Sequence, residues 1–202
     1  MQGDTSAAAM VAARNALERS WADEQLPTAD GWLDRSQAML EQTLRNDRLG
    51  VETVLGVEVG FRDEYEGLPF AGYADLVLQR GPGVIEIVDH KITRSAHTSA
   101  QLHDDRQLNL YGWFAQRRWP DTRTVFATQH YPPLDAAVTV RLSDASMHAA
   151  LTSLAATARN ASSDTAYEPR VGPECESCQW IDRCPAWSDR AAENRVAVRG
   201  QV

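Results

Sequence analysis

The chain has 202 residues, a hydrophobic fraction of 43%, a charged fraction of 24% and a formal net charge of −8. That is the size and balance of one ordinary globular domain with a core of its own and room for a small appendage. No apolar run reaches the roughly 18 residues a membrane-spanning helix needs, and the acidic balance excludes the broad basic footprint of a nonspecific nucleic-acid coat.

The opening "MQGDTSAAAMVAARNALERSW" lacks the basic start and apolar centre of a secretory signal, so a cytoplasmic protein is expected, with no membrane partner. Alanine- and leucine-rich stretches at about 5–24 and 30–47 predict two helices, separated by "LPTADG". "VETVLGVEVGF" then alternates, predicting a strand with Leu55, Val57, Val59 and Phe61 on one face and Gly56, Glu58 and Gly60 on the other. "GLPFAGYADLVLQ" predicts a second strand, paired as a hairpin, with Tyr73, Asp75 and Val77 on one face. "RGPG" is a turn by its Gly and Pro content. A third strand follows it in the stretch "IEIVDHKITRS", alternating from Ile85 to Lys91, and completes a three-stranded meander.

"AQLHDDRQLNLYGWFAQRRW" predicts one long helix, with Leu110 and Phe114 at i, i+4 and Pro120 as its stop. Its length suits a crossover, which would make the strands before and after it parallel. "TRTVFATQHY" and "AAVTVRL" are two further strands around a Pro-Pro turn, and "SDASMHAALTSLAATARN" is a helix opened by a serine cap. The order of elements is that of a mixed α/β layer arrangement with an antiparallel component. The expected division is a core over residues 1–161 and a cysteine-bearing tail over 162–202, packed on that core.

Lys91 is the only lysine beside nineteen arginines. Two residues from Asp89 on an alternating strand, it projects from the same face. A compact ammonium beside a carboxylate is not replaceable by the broad guanidinium fork. Glu58, Asp75 and Asp89 fall on successive strands, on what the pattern reads as their non-core faces. Carboxylates gathered there would suit a hard divalent ion such as Mg²⁺, which takes one or two of them together with substrate phosphate oxygens. Gln107 and Tyr111 share one face of the following helix by their i, i+4 spacing. Cys175, Cys178 and Cys184 form a C-x₂-C-x₅-C-P run with Pro185. Thiolates so spaced can close around Zn²⁺ or an iron–sulfur cluster.

Taken together, these motifs resemble the PD-(D/E)XK nucleases of RecB type, and most of all the iron–sulfur branch that includes the AddB nuclease domain and CRISPR-associated and phage exonucleases. The resemblance runs in order over residues 50–187. It implies a restriction-endonuclease-like central mixed sheet flanked by helices. It also implies metal ligation by Asp75 in "GYAD", by Asp89 in "IVDHKIT" and by the upstream Glu58, with Mg²⁺ or Mn²⁺ as the ion. Lys91 becomes the catalytic base or water-orienting group, and Gln107 and Tyr111 its orienting or DNA-contacting partners. The implied activity is metal-dependent DNA cleavage, as an exonuclease on ends or single strands in recombination, repair or phage replication, with a helicase or recombination protein as partner. The alternative is a catalytically degenerate DNA-binding or docking module of a helicase–nuclease complex. Two departures bear on this choice. Arg14 stands where many members carry a first-helix histidine, and the fourth cysteine of a [4Fe–4S] site is absent, which leaves a cluster or a Zn²⁺ site open.

Overall fold

The computed structural model describes residues 3–46 and 53–188. The chain divides into two compact units, Met1–Arg159 and Asn160–Val202. In the first, helices α1 (Gly3–Asp23) and α2 (Trp32–Asn46) precede strands β1 (Thr53–Tyr65), β2 (Leu68–Gly81) and β3 (Val84–His90). Helices α3 (Ser99–His103) and α4 (Arg106–Arg118) follow, then strands β4 (Thr124–Tyr131) and β5 (Ala136–Leu142), and helix α5 (Asp144–Ser163). Among the described residues no helix is long and apolar enough to cross a membrane.

The sheet has five strands in the order β1-β2-β3-β4-β5. β1, β2 and β3 form the expected antiparallel meander. β3 and β4 are parallel, as a helical crossover demands, and β5 returns antiparallel to β4. This is the mixed sheet with flanking helices of the restriction-endonuclease-like class.

The main core lies between the sheet and α4 with α5. Phe61, Ala74, Val77, Ile85, Ile87, Val125 and Ala127 meet Leu108, Tyr111, Phe114 and Ala115 of α4 and Met147 and Leu151 of α5. Phe114 is 2% exposed and stacks on Phe61 at 5.2 Å; burying such a side chain stabilises the fold by about 1.5–3 kcal/mol. β3, in the middle of the sheet, is covered on both faces. On the side opposite Ile85 and Ile87, the buried Glu86 is held by Arg80 and by the Thr128 hydroxyl, which also lies 2.7 Å from Thr139. A buried carboxylate tolerated in this way needs such partners.

Four expectations change. The third strand ends at His90, one residue before Lys91. The helix expected from residue 100 to 119 is two helices broken at Asp104–Asp105. The Asp105 carboxylate caps α4 by accepting from Leu108 N at 2.9 Å, and the Asn109 amide straps the joint by donating to His103 O and Asp105 O at 2.9 and 2.8 Å. Strict alternation also fails in β1 and β2. Val77 is fully buried while Tyr73 is 66% exposed, and Val57 is 67% exposed although Phe61 is buried. The physical reason is local: β1 slips register between Val54 and Gly56, and Glu58 takes a left-handed φ of 50°. Finally, Asp89 is not on a non-core face: it is 3% exposed and two residues along β3 from the core residue Ile87.

The second unit begins inside α5 and continues as short turns. The backbone N–H of Cys178 donates to Cys175 O, that of Ile181 to Cys178 O and that of Cys184 to Ile181 O, at 3.1–3.2 Å. Tyr167 and Trp180, which flank the cysteines, are exposed.

Candidate active site

The site is built where β2 and β3 part and α4 begins. β2 and β3 pair as far as Leu76 with Val88. Beyond that pair the Asp75 side chain takes over, Oδ2 accepting from the backbone N–H of His90 at 2.7 Å. Its carboxylate is thereby fixed to the residue between Asp89 and Lys91. Lys91 lies one residue past the strand, yet its backbone N–H still donates to His130 O at 2.8 Å, so β4 holds it in line. The side-by-side projection expected of Asp89 and Lys91 is realised although the strand itself stops short.

Lys91 Nζ donates to Asp89 Oδ1 at 3.1 Å and to Gln107 Oε1 at 3.2 Å. The ammonium is closer still to Asp89 Oδ2, at 2.8 Å, but off the hydrogen-bond direction, and that buried oxygen has no hydrogen-bond partner. Gln107 Nε2 in turn donates to the Tyr111 hydroxyl at 3.1 Å. The predicted helix pair and the predicted strand pair are thus one connected chain, from Asp89 through Lys91 and Gln107 to Tyr111.

Burial raises the Asp89 carboxyl above the ordinary carboxylate range; the Lys91 hydrogen bond and charge oppose this, while the negative charges of Asp75 and Asp105 add to it. For Lys91, burial works downward, but the hydrogen bond to Asp89 and the charges of Asp89, Asp105 and Asp75 outweigh it and leave the ammonium above its usual range. Lys91 is therefore a protonated donor at neutral pH. Asp105, placed by its cap, is a carboxylate that sequence reading did not assign to this site.

Gly72, in the "GYAD" stretch, has its own role here. A Cβ on it would lie 2.7 Å from Tyr111 Cε1 and 3.2 Å from its hydroxyl oxygen. Tyr111 is 6% exposed and ring-stacked with Phe61 at 6.1 Å, so the ring has nowhere to go. Gly72→Ala is expected to destabilise the fold by about 1–3 kcal/mol, the usual effect of overpacking, and to pull Tyr111 off Gln107. Thermal unfolding checks this, and an unchanged melting temperature would mean that the ring has room to move.

The remaining candidates fall elsewhere. Glu58 is exposed and sits opposite Asp75, between the pairs Val57–Leu76 and Val59–Ala74. Among the described residues no group of three or more His, Cys, Asp or Glu is gathered closely enough to hold a metal ion. Glu58 is therefore not drawn in with Asp75 and Asp89, and the sulfurs of Cys175, Cys178 and Cys184 do not form a ligand set. All three cysteines are free, Cys178 exposed and the others half-buried. Arg14 pairs with Glu41 of α2. His90 turns away from Asp89, its Nδ1 lying 3.0 Å from His130 Nδ1. Burial and the facing His90 push His130 below the ordinary histidine range, against Asp135.

Asp75 and Asp89 fit a hard divalent cation. They offer two adjacent carboxylates, one with a buried oxygen lacking a hydrogen-bond partner, and Mg²⁺ or Mn²⁺ completes such a set with water and phosphate oxygens. The cysteine run, as arranged here, does not fit a cluster or Zn²⁺.

A solved structure from Eubacterium rectale is 15% identical, with a TM-score of 0.49 over 75% of this chain and 62% of the other. The chain thus spans less than two thirds of that protein's length. A second, of the protein SSO0001, is 20% identical, with a TM-score of 0.41 over 86% of this chain and 80% of the other. No curated protein matches the sequence. The sequence profile of the PD-(D/E)XK nuclease superfamily matches residues 2–185, which include every element of the sheet and every side chain of the Asp89–Tyr111 chain. The protein belongs to the PD-(D/E)XK nuclease superfamily.

Proposed function

We propose that the protein is a Mg²⁺- or Mn²⁺-dependent phosphodiester hydrolase acting on DNA, an exonuclease working at ends or on single strands in recombination, repair or phage replication. The observation that carries this reading is the single ammonium of Lys91, held between Asp89 and Gln107 beside the Asp75 carboxylate.

Asp75 and Asp89 would hold the cation, and Glu58 would add a third carboxylate only if β1 shifted toward them. The bound cation would supply activation of water and stabilisation of charge on a phosphate oxygen. Lys91, protonated, donates to the attacking water or to the phosphate oxygen on which charge develops. Gln107 holds the ammonium in position, and Tyr111 holds Gln107 through its amide. Burial of Asp89 beside Asp75 makes the pocket unfavourable for carboxylates alone, and so favourable for a cation that neutralises them.

A second reading, the catalytically degenerate DNA-binding or docking module of a helicase–nuclease complex, is favoured by Arg14 and its engagement with Glu41. The two readings separate in one assay. Labelled linear DNA, single- and double-stranded, is incubated with protein and Mg²⁺ or Mn²⁺, beside EDTA and Lys91→Ala controls. Shortening from the ends that needs both the metal and Lys91 is the expected result. Binding without cleavage would favour the docking module, and closed circular DNA cut as fast as linear DNA would remove the exonuclease assignment.

A further inference from the structure

Among the described residues three buried side-chain atoms lack a hydrogen-bond partner: Asp89 Oδ2, Asn109 Oδ1 and Gln129 Nε2. Two of them belong to register partners of the parallel β3–β4 ladder, Asp89 and Gln129, whose side chains share a face; Asp89 Oδ2 is ion-paired with the Lys91 ammonium at 2.8 Å and, as a carboxylate oxygen, can still accept a further donor. One is an acceptor and the other a donor. Gln129 is fully buried and Asp89 is 3% exposed.

The orientation of the Gln129 amide follows from its other bonds. The His97 backbone N–H, which can only donate, gives its proton to the Tyr131 hydroxyl at 2.9 Å. The single Tyr131 proton then goes to Gln129 Oε1, at 2.6 Å. His97 Nδ1 lies 2.9 Å from the same oxygen and, facing an acceptor, carries the proton there. With Oε1 claimed twice, the amino group must point the other way and needs a buried acceptor of its own. Leaving such a donor unmet costs about 1–3 kcal/mol, and no direct bond to Asp89 is made. One water between the two would satisfy the Gln129 donor and give Asp89 Oδ2 a hydrogen bond, as buried waters commonly do with otherwise unmet polar groups.

We propose that Gln129 is a positioning residue for Asp89, its amide donating through a shared water to Asp89 Oδ2 and fixing the direction in which that carboxylate faces a cation. The consequence for metal binding rests on the reading of Asp89 as a metal ligand; the water bridge does not. Sequence reading passed Gln129 over because a lone glutamine on a strand carries no motif.

The test has one arm without metal and one with it. In metal-free protein, the Gln129 side-chain amide protons, assigned by their loss in Gln129→Met, should show a magnetisation-transfer cross-peak to a long-lived water. Asp89→Leu should abolish that cross-peak. In the second arm, Mn²⁺ affinity is read by electron paramagnetic resonance on folded protein. Gln129→Met should weaken it about 10-fold, the effect typical of an outer partner of a metal ligand. Tyr131→Phe, which releases the far side of the amide, should weaken it less. A merely structural Gln129 would lower the melting temperature and leave Mn²⁺ affinity within twofold of wild type, and that result overturns the positioning role. Absence of the water cross-peak overturns the bridge. Should wild-type protein bind no Mn²⁺, the nuclease reading falls, while the cross-peak still decides whether Gln129 is coupled to Asp89.

Discussion

Lys91→Arg is expected to lose the proposed DNA cleavage almost as completely as Lys91→Ala, both by about 10²–10⁴-fold, the range for removal of a positioned proton donor or oriented charge at a reacting centre. The positive charge survives the arginine change, so charge alone is not what the site uses. The ammonium sits 2.8 Å from Asp89 Oδ2 and donates to Asp89 Oδ1 and Gln107 Oε1 at 3.1 and 3.2 Å. That leaves it able to serve a carboxylate, an amide and a substrate at once. A guanidinium in the same space prefers the two-pronged bond to one carboxylate. It would occupy both Asp89 oxygens and close them to a cation. The two variants should therefore differ in metal affinity: Lys91→Arg binds Mn²⁺ more weakly than wild type, whereas Lys91→Ala, freed of a repelling charge, does not. Single-turnover cleavage with metal titration measures both quantities. A Lys91→Arg protein that keeps more than about a tenth of the wild-type rate would remove Lys91 from the chemistry, since donor effects of this kind are much larger.

Asp89→Asn is expected to abolish cleavage, by more than the roughly 10–100-fold seen for outer partners of metal ligands, and yet to make the metal-free protein more stable. The second half follows from the direction of the Asp89 shift. Burial raises its folded-state carboxyl above the unfolded value. Between those two values the folded state holds more protons than the unfolded, so stability falls as pH rises through that window. Above it the cost of the buried ionised carboxylate is present in full, and asparagine removes it. In EDTA at neutral pH the melting temperature of Asp89→Asn should exceed that of wild type, with each kcal/mol worth about 2–4 °C in a chain of this size. Lowering the pH toward the ordinary carboxylate range should narrow the gap. Mg²⁺ should raise the wild-type melting temperature and leave the variant unmoved. A variant less stable than wild type in EDTA would mean that the Lys91 pairing outweighs the burial of Asp89.

The residues of this site differ in how visible they are in the amino-acid string. Asp89 with Lys91 and Gln107 with Tyr111 were legible as pairs because a two-residue or four-residue spacing fixes relative direction before any tertiary contact is known, whereas Asp75 was picked out by the resemblance of its "GYAD" stretch to a family motif. The meander and the parallel crossover were legible for the same reason: hairpin turns and helix length constrain strand direction locally. Asp105 and Gln129 were not. Asp105 enters only because the expected single helix breaks at "HDD", and that break depends on Asn109 strapping two backbone carbonyls. Gln129 matters only through strand register, which no local pattern specifies for a parallel pair. The assignment of faces in β1 and β2 failed at Glu58, since a left-handed residue inside a strand resets the alternation on which such assignments rest.

β1 has a consequence beyond this site. It is thirteen residues long, lies at the margin of the sheet and pairs only with β2, so its outer row of N–H and C=O groups faces no strand of this sheet. Val54 and Val57 are exposed along it. A long, flat, apolar margin of that kind invites another molecule to add a strand and so to aggregate. The register slip before Gly56 and the left-handed Glu58 interrupt the margin within three residues of each other, one by a bulge and the other by a reversed backbone turn bearing a charge. A charged, left-handed residue at that point is a poor template for an added strand, so the break at Glu58 would hinder edge-to-edge pairing between copies.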